Sequence, residues 1–467
     1  MDAEGRENRN SAVAEAHRGD VWTSRFAFLY AAAAAAIGLG SLWRFPYVAG
    51  ANGGGAFVLL YLLFVFALCV PLMLAEMWIG RRGHGSAVAS VAKVIADERA
   101  WRGWKLIGWL SILIPFLGLS YYSVVAGWGL DYARVAIASG FGGFDAARSL
   151  ATFDNLVASP VRQGLLQFLF IAGVATVVAL GVRRGIEVVS RIKMIALAVI
   201  LLGLVAHNAV AYGLAQGGGF LFVPDFGALT PQAVLTALGQ ALFSTAIGVG
   251  VMMTYSAYLP KGSSLPQSAL IINGAVAVVA MLAGLAIFPI VFAFGLKPAE
   301  GPNLIFVTLP VAFGQMPGGR LVGIAFFVLI VLGAFTTAVG MLEPVVAWLK
   351  ERIAWSRPAL AAAAGLVVFA IGLPSLLSFN VLKDFHPLAG VPGLGTLNVF
   401  DFLDQGIANI LLPLNALLIA LFVGWAVARG VERADLGMSG ATFGAWRLAL
   451  RFLAPIAIIG LMVSLIS

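Results

Sequence analysis

Cysteine occurs once in 467 residues, at Cys69, and that alone excludes an intramolecular disulfide framework. Charge is scarce too: Asp, Glu, Lys and Arg make up 11% of the chain, too little to coat a soluble domain of useful size. Histidine is confined to four scattered residues, His17, His84, His207 and His386, which form no cluster with metal-ligand spacing. The chain contains no Asn-x-Ser/Thr sequon, no P-loop and no nucleophile elbow, and no catalytic residue is assigned. A single buried-type cysteine and no glycosylation acceptor suit a bacterial inner membrane.

What is present is apolar. Hydrophobic residues make up 61% of the chain and the mean hydropathy is +0.97, the composition of an all-α polytopic membrane protein. Residues 1 to 24 are polar and read as a solvated segment rather than a signal peptide. Apolar runs at 26–48, 54–79, 104–137, 164–182, 187–213, 235–258, 268–295, 320–350, 358–377, 397–428 and 447–466 predict eleven crossings. The runs at 104–137 and 320–350 exceed one bilayer thickness, which implies tilt or extension into water. Basic residues fall on one side of this arrangement. Arg6, Arg9, Arg18 and Arg25 precede the first run, a group from Arg81 to Lys105 follows the second, and Arg183, Arg184, Arg191 and Lys193 join the fourth to the fifth. With Lys261, Lys350, Arg352, Arg357, Arg429, Arg433, Arg447 and Arg451, about 22 of the 29 basic residues share that side, which the positive-inside rule places in the cytoplasm. The N-terminus is then cytoplasmic and, after eleven crossings, the C-terminus is outside. The same rule accounts for the net charge of +8, so no nucleic-acid partner is implied.

Two apolar runs are interrupted at their centres. Gly38, Gly40, Ser41, Arg44 and Pro46 break the first, and Gly239, Gln240, Ser244, Thr245, Gly248 and Gly250 break the sixth. Hydrocarbon cannot receive freed backbone groups, so a helix comes apart at membrane depth only where protein or a water-filled cavity takes them. Close helix approach at the glycines and a snorkelling Arg44 would explain the first break alone. A second break five crossings later points instead to two five-helix repeats of inverted topology with a midplane binding site between the broken helices.

The surrounding motifs sharpen this. Trp22-Thr-Ser-Arg25, Gly38-Leu-Gly-Ser-Leu-Trp-Arg-Phe-Pro-Tyr47, Asn52-Gly-Gly-Gly-Ala-Phe57, Pro71-Leu-Met with Glu76, Tyr121-Tyr122, the Gln240–Gly250 run, Asn303–Pro310 and Phe335-Thr336-Thr337 follow one another over nearly the whole chain. In order and spacing they resemble the neurotransmitter:sodium symporters, and bacterial members with eleven helices in particular. The resemblance implies the LeuT-type fold. A cytoplasmic segment at 1–24 would precede a first repeat at 25–213. A loop at 214–234 would lead to a second repeat at 235–428, followed by a loop and eleventh helix at 429–467.

It also implies roles. The N–H groups of Leu39 and Gly40 and the Tyr122 hydroxyl would hold an amino-acid carboxylate, and carbonyls of Ala36, Phe243 and Ser244 the ammonium. Gly118, Tyr122, Phe243, Ala246, Gly248, Val249, Thr337 and Met341 would line the side-chain pocket, which carries no fixed charge and suits a neutral hydrophobic or aromatic L-amino acid. A first sodium ion would take oxygens of Ala36, Ser41, Ser244 and Asn273. A second would take carbonyls of Ala34, Ile37 and Gly333 with hydroxyls of Thr336 and Thr337. Ser41 stands where relatives carry asparagine, which leaves one or two ions open. Tyr61, Gln240 and Ser244 match a chloride site, but Ala277 replaces its serine or carboxylate, so chloride dependence is not carried over. Arg44 would meet Asp404, directly or through water, above a lid of Tyr122 and Phe243. Arg18, Trp22, Tyr258 and Glu351 would form the inner gate. Asn303 to Gly319 would fold back as an outer lid. Glu76 and Glu343 read as buried carboxylates with structural partners. The activity implied is sodium-coupled import of an amino acid across the bilayer by alternating access. Transport of a betaine, γ-amino acid or other small zwitterion, and a channel or receptor on the same scaffold, stay open at this point.

Overall fold

The computed structural model of the protein describes residues 21–260, 262–296, 303–390, 395–428, 433 and 435–464. Among these the chain is helical, with one isolated bridge between Gly54 and Pro224. Nine helices among the described residues are long and apolar enough to cross a membrane: α2 (Gly55–Gly83), α3 (Arg102–Ala138), α4 (Pro160–Ala179), α5 (Val182–Ala211), α7 (Leu265–Ala293), α8 (Gly319–Lys350), α9 (Arg357–Leu377), α10 (Val399–Ala426) and α11 (Gly440–Ser464). The first crossing is a bent pair, α1a (Arg25–Ala36) and α1b (Gly40–Ala51), with 52° between its halves. The sixth apolar run is likewise two short helices, α6a (Pro231–Ser244) and α6b (Val251–Ala257), separated by irregular backbone.

Several helices begin ahead of their apolar runs, because capping residues and not hydrophobicity set the first turn. Thr230 caps α6a by accepting from Ala233 N, with Pro231 in its first turn. Ser159 with Pro160 does the same for α4, and Ser439 caps α11's first helical segment. Shorter helices fill the connections: Ala87–Asp97, Ala146–Val157 and Ala215–Phe222. Leu304–Gln315, in the expected lid segment, is another short apolar helix. Its Phe306 packs on Trp128, Tyr132 and Phe153, and Ser149 Oγ donates to Val307 O at 2.6 Å.

The broken helices lie inside the bundle. Ala31 to Ala36 of α1a and Val251 to Ala257 of α6b are buried. α1a packs against α5 and α8, α6b against α2, α8 along α3, and α9 against α4. Small residues make these approaches possible. A Cβ on Gly80 would run into the Met253 carbonyl of α6b, and one on Gly333 into Leu42.

One expectation from charge counting is corrected here. Lys193 does not sit in the connection between the fourth and fifth crossings; it lies within α5 and is 1% exposed. Arg183, Arg184 and Arg191 are exposed. Lys193 shares α5's buried stripe with Ser190, Leu197, Leu201, Leu204 and Asn208, a helical spacing that turns its side chain inward.

Candidate functional site

The backbone freed at the first break is received by neighbouring helices. α1a closes at Ile37, whose N–H reaches Ala33 O at 2.8 Å. The Leu39 N–H then donates to the Tyr122 hydroxyl of α3 at 3.3 Å. The Gly40 carbonyl accepts from Gln240 Nε2 of α6a at 2.8 Å. Side chains at the glycines are excluded: a Cβ on Gly38 would strike Thr337 and Tyr122, and one on Gly40 would lie 3.1 Å from the Phe243 ring.

The second break turns on left-handed residues, Ala246 (φ 54°), Gly248 (φ 82°) and Gly250 (φ 82°). Its polar backbone is again satisfied by side chains. Glu76 of α2, fully buried, accepts from Gly248 N at 2.5 Å. Asn415 of α10 donates to Gly248 O at 2.7 Å and to Ser111 Oγ of α3 at 3.1 Å. A Cβ on Gly248 would sit 2.6 Å from the Leu412 carbonyl. With the positive φ, that makes Gly248→Ala strained twice. The variant is expected to lose on the order of 1–3 kcal/mol and to melt well below wild type in detergent. Gly274→Ala, with open space at its Cβ, is the control and should melt close to wild type.

Between the breaks is a cavity of ≈ 60 Å³. Ten of the twelve residues expected around a substrate line it: Ala36, Leu39, Gly40, Gly118, Tyr122, Phe243, Ala246, Val249, Thr337 and Met341. Ser244 and Gly248 lie outside that lining. Ala35, Gly38, Ile114, Tyr121, Val251, Ile407 and Leu412 complete the wall and were not among the expected residues. Ile114 had a readable signal, four residues before Gly118 and eight before Tyr122 on one face of α3. Ile407 and Leu412 had none, since α10 reaches the cavity only through tertiary packing. No Asp, Glu, Lys or Arg lines the cavity among the described residues.

Above it, the Arg44 guanidinium lies over the Phe243 ring, 4.4 Å from the centroid, a contact that favours a cation. Among the described residues Arg44 makes no direct ion pair with Asp404. Tyr121 stands in electrostatic contact with both, and its ring packs edge-on against Phe400 of α10.

Two sets of oxygens border the breaks, and they differ. At the first, Ser41 Oγ and Asn273 Oδ1 are buried with no hydrogen-bond partner among the described residues. Asn273 has spent its amide on Ala269 O at 2.9 Å and Met73 Sδ at 3.1 Å, so only its oxygen is left. Unpartnered buried acceptors are costly, and a hard cation is one group that would satisfy them. Ser244 Oγ is 3.0 Å from the Tyr61 hydroxyl. Gln240, the other residue matching a chloride site, gives its amide to Gly40, and Ala277 is buried without a polar atom to add.

The second set is engaged in part: Thr337 Oγ1 is buried with no hydrogen-bond partner among the described residues, while the two α1a carbonyls and Thr336 are taken. Lys193 Nζ donates to Ile37 O at 2.7 Å and to Ala34 O at 3.2 Å, and Thr336 Oγ1 donates to Ala34 O at 2.9 Å. Two of the five groups expected around a second sodium ion thus already accept from the Lys193 side chain.

At the other end of α1a, the residues expected at the inner gate are held by contacts within the chain. Trp22, 1% exposed, donates from Nε1 to Tyr255 O at 2.8 Å and from its backbone to Tyr258 O at 3.2 Å. The Tyr258 hydroxyl reaches Glu343 Oε1 at 3.3 Å, and Arg357 pairs with Glu343. Glu351 accepts from Ser86 N and Oγ, both at 2.6 Å. Arg18 lies outside the described residues.

Comparison with known proteins places this architecture. A profile of the sodium:neurotransmitter symporter family matches residues 19–142 and 155–467. The chain belongs to the sodium:neurotransmitter symporter family. It is therefore a multi-pass membrane transporter with the LeuT-type inverted repeat, and not an enzyme. It is similar to an uncharacterized sodium-dependent transporter of Bacillus subtilis, 41% identical over 450 residues that cover 96% of this chain and 97% of the relative. An uncharacterized sodium-dependent transporter of Haemophilus influenzae is 32% identical over 95% of this chain and 97% of its own length. Among solved structures, the crystal structure of MhsT in complex with L-phenylalanine matches with a TM-score of 0.86 and 39% identity, covering 95% of this chain and 99% of that one. Within the symporter family's fold, the cavity between the two breaks is the candidate transport site.

Proposed function

We propose that this protein imports a neutral, hydrophobic or aromatic L-amino acid by sodium symport and alternating access. The observation that carries the reading is the cavity itself. Residues of both breaks line it together with the Tyr122 and Thr337 hydroxyls of α3 and α8, and no Asp, Glu, Lys or Arg is in its wall among the described residues. A zwitterion needs donors for its carboxylate and acceptors for its ammonium, and a buried charge on either without a partner would be expensive. Leu39 N, Gly40 N and Tyr122 Oη would bind the carboxylate; carbonyls of Ala36, Phe243 and Ser244 would hold the ammonium. Ala36, Ser41, Ser244 and Asn273 would hold one sodium ion, whose charge compensates the carboxylate. Similarity to MhsT, solved with L-phenylalanine, supports the substrate class.

The positive-inside distribution supports a bacterial inner-membrane orientation with a cytoplasmic N-terminus and an extracytoplasmic C-terminus. In that orientation Arg44, Tyr121, Tyr122 and Phe243 close the outer path, and Trp22, Tyr258, Glu343 and Arg357 the inner one. Repeats at 25–213 and 235–428 would rock against each other around the site.

Competition binding to purified protein, with and without sodium, tests this. Leucine, phenylalanine, tryptophan or methionine should displace one another, and only with sodium present. Tight binding of glutamate or lysine that none of these displaces would sink the substrate assignment.

A further inference from the structure

We propose that the Lys193 ammonium permanently occupies the place of the second sodium ion, so that this chain binds at most one sodium ion per transport cycle. The inference deepens the sodium-symport reading above and rests on it for the first ion only.

Geometry comes first. Ala34 and Ile37 supply the last carbonyls of α1a, at the end where the helix has unpaired acceptors and negative partial charge. That end attracts a cation of some kind. Lys193 Nζ meets it at 2.7 Å on Ile37 O and 3.2 Å on Ala34 O, both hydrogen-bond distances, the shorter one typical of a charge-assisted bond. Thr336 of α8, one of the hydroxyls expected around a second ion, donates to the same Ala34 O at 2.9 Å, so that carbonyl already has two donors.

Burial comes second. Lys193 is 1% exposed and makes no ion pair among the described residues. A lysine within a membrane helix by default snorkels to water, pairs with a carboxylate or has a functional site to fill. Here it does neither of the first two, and its position on α5's inward stripe keeps it from the surface. The helix end is its counter-charge. A free cation on the same two carbonyls would lie against an ammonium in a medium that screens poorly, so the two exclude each other.

The consequence is mechanical as well as stoichiometric. A dissociable ion would join α1a to α8 and let go when it left. The tethered cation joins α1a to α5, and is never released to either side.

Counting bound ions tests the proposal directly. Purified protein with saturating amino acid would be equilibrated with radioactive sodium, and bound ions counted per chain. Wild type should bind no more than one ion. Lys193→Ala, which frees both carbonyls, should bind one more than wild type, and Lys193→Ser provides the same test if the alanine variant does not fold. Two ions in wild type overturn the proposal, as does an unchanged count in a folded variant. A count of zero in wild type rising to one in the variant supports it, while removing sodium from the first site. Failure of any amino acid to bind would overturn the proposed function and leave the ion count readable.

Discussion

Replacing Tyr122 by phenylalanine is expected to weaken amino-acid binding about 10- to 100-fold, in line with the loss of one hydrogen bond to a charged group. The hydroxyl has two neighbours that make it hard to replace. It receives the Leu39 N–H at 3.3 Å, and it lies against Gly38 where no side chain can intrude. Phenylalanine fills the same space, so packing of α3 against the break is kept. What disappears is a donor for the carboxylate and an acceptor for Leu39, and a buried N–H left alone carries its full desolvation cost. Isothermal binding of the best amino-acid ligand, with thermal melting as the folding control, reads both effects. Wild-type affinity in a well-folded Tyr122→Phe would remove the carboxylate assignment.

Asn273→Ala should instead move the sodium dependence. The side-chain oxygen of Asn273 is buried and unpartnered while both hydrogens of its amide are committed. The alanine variant is expected to need roughly 10-fold or more sodium for half-maximal amino-acid binding, the scale of one charge-assisted interaction. Binding at saturating sodium should approach wild type, because no cavity wall changes. An unchanged sodium titration would take Asn273 out of the ion site. Tyr122 and Asn273 thus separate the two halves of the site: one variant moves amino-acid affinity at fixed sodium, the other moves sodium affinity.

Much of this was legible in the chain. Glycines and polar residues inside apolar runs located both breaks, since membrane-depth backbone disorder needs an explanation that packing alone supplies poorly. Leu39, Gly40 and Ala246, beside the breaks, were placed in the cavity wall by the family resemblance that the breaks and their flanking motifs carry. What escaped was long-range. Glu76 is 172 residues from the amide it braces, and nothing local marks that pairing. Ile407 and Leu412 reach the cavity through the approach of α10, which no period in their own run encodes. Lys193 was misplaced by a rule that counts charges by position. It stands two residues from the exposed Arg191, so a tally of basic residues assigned both to the same connection. Only the stripe Ser190, Lys193, Leu197, Leu201 distinguishes them, and its meaning depends on α1a lying across it.

The bracing of the second break bears on how such a protein moves. Gly248 belongs to no helix, yet its N–H is taken by α2 and its carbonyl by α10, with α3 tied in through Ser111. Irregular backbone held from three directions is not a soft joint. It is a keystone, tied to three other helices where an ordinary helical turn is tied along its own axis. Opening either face of the bundle therefore has to turn this block as a piece, and the bending must fall where the chain leaves it.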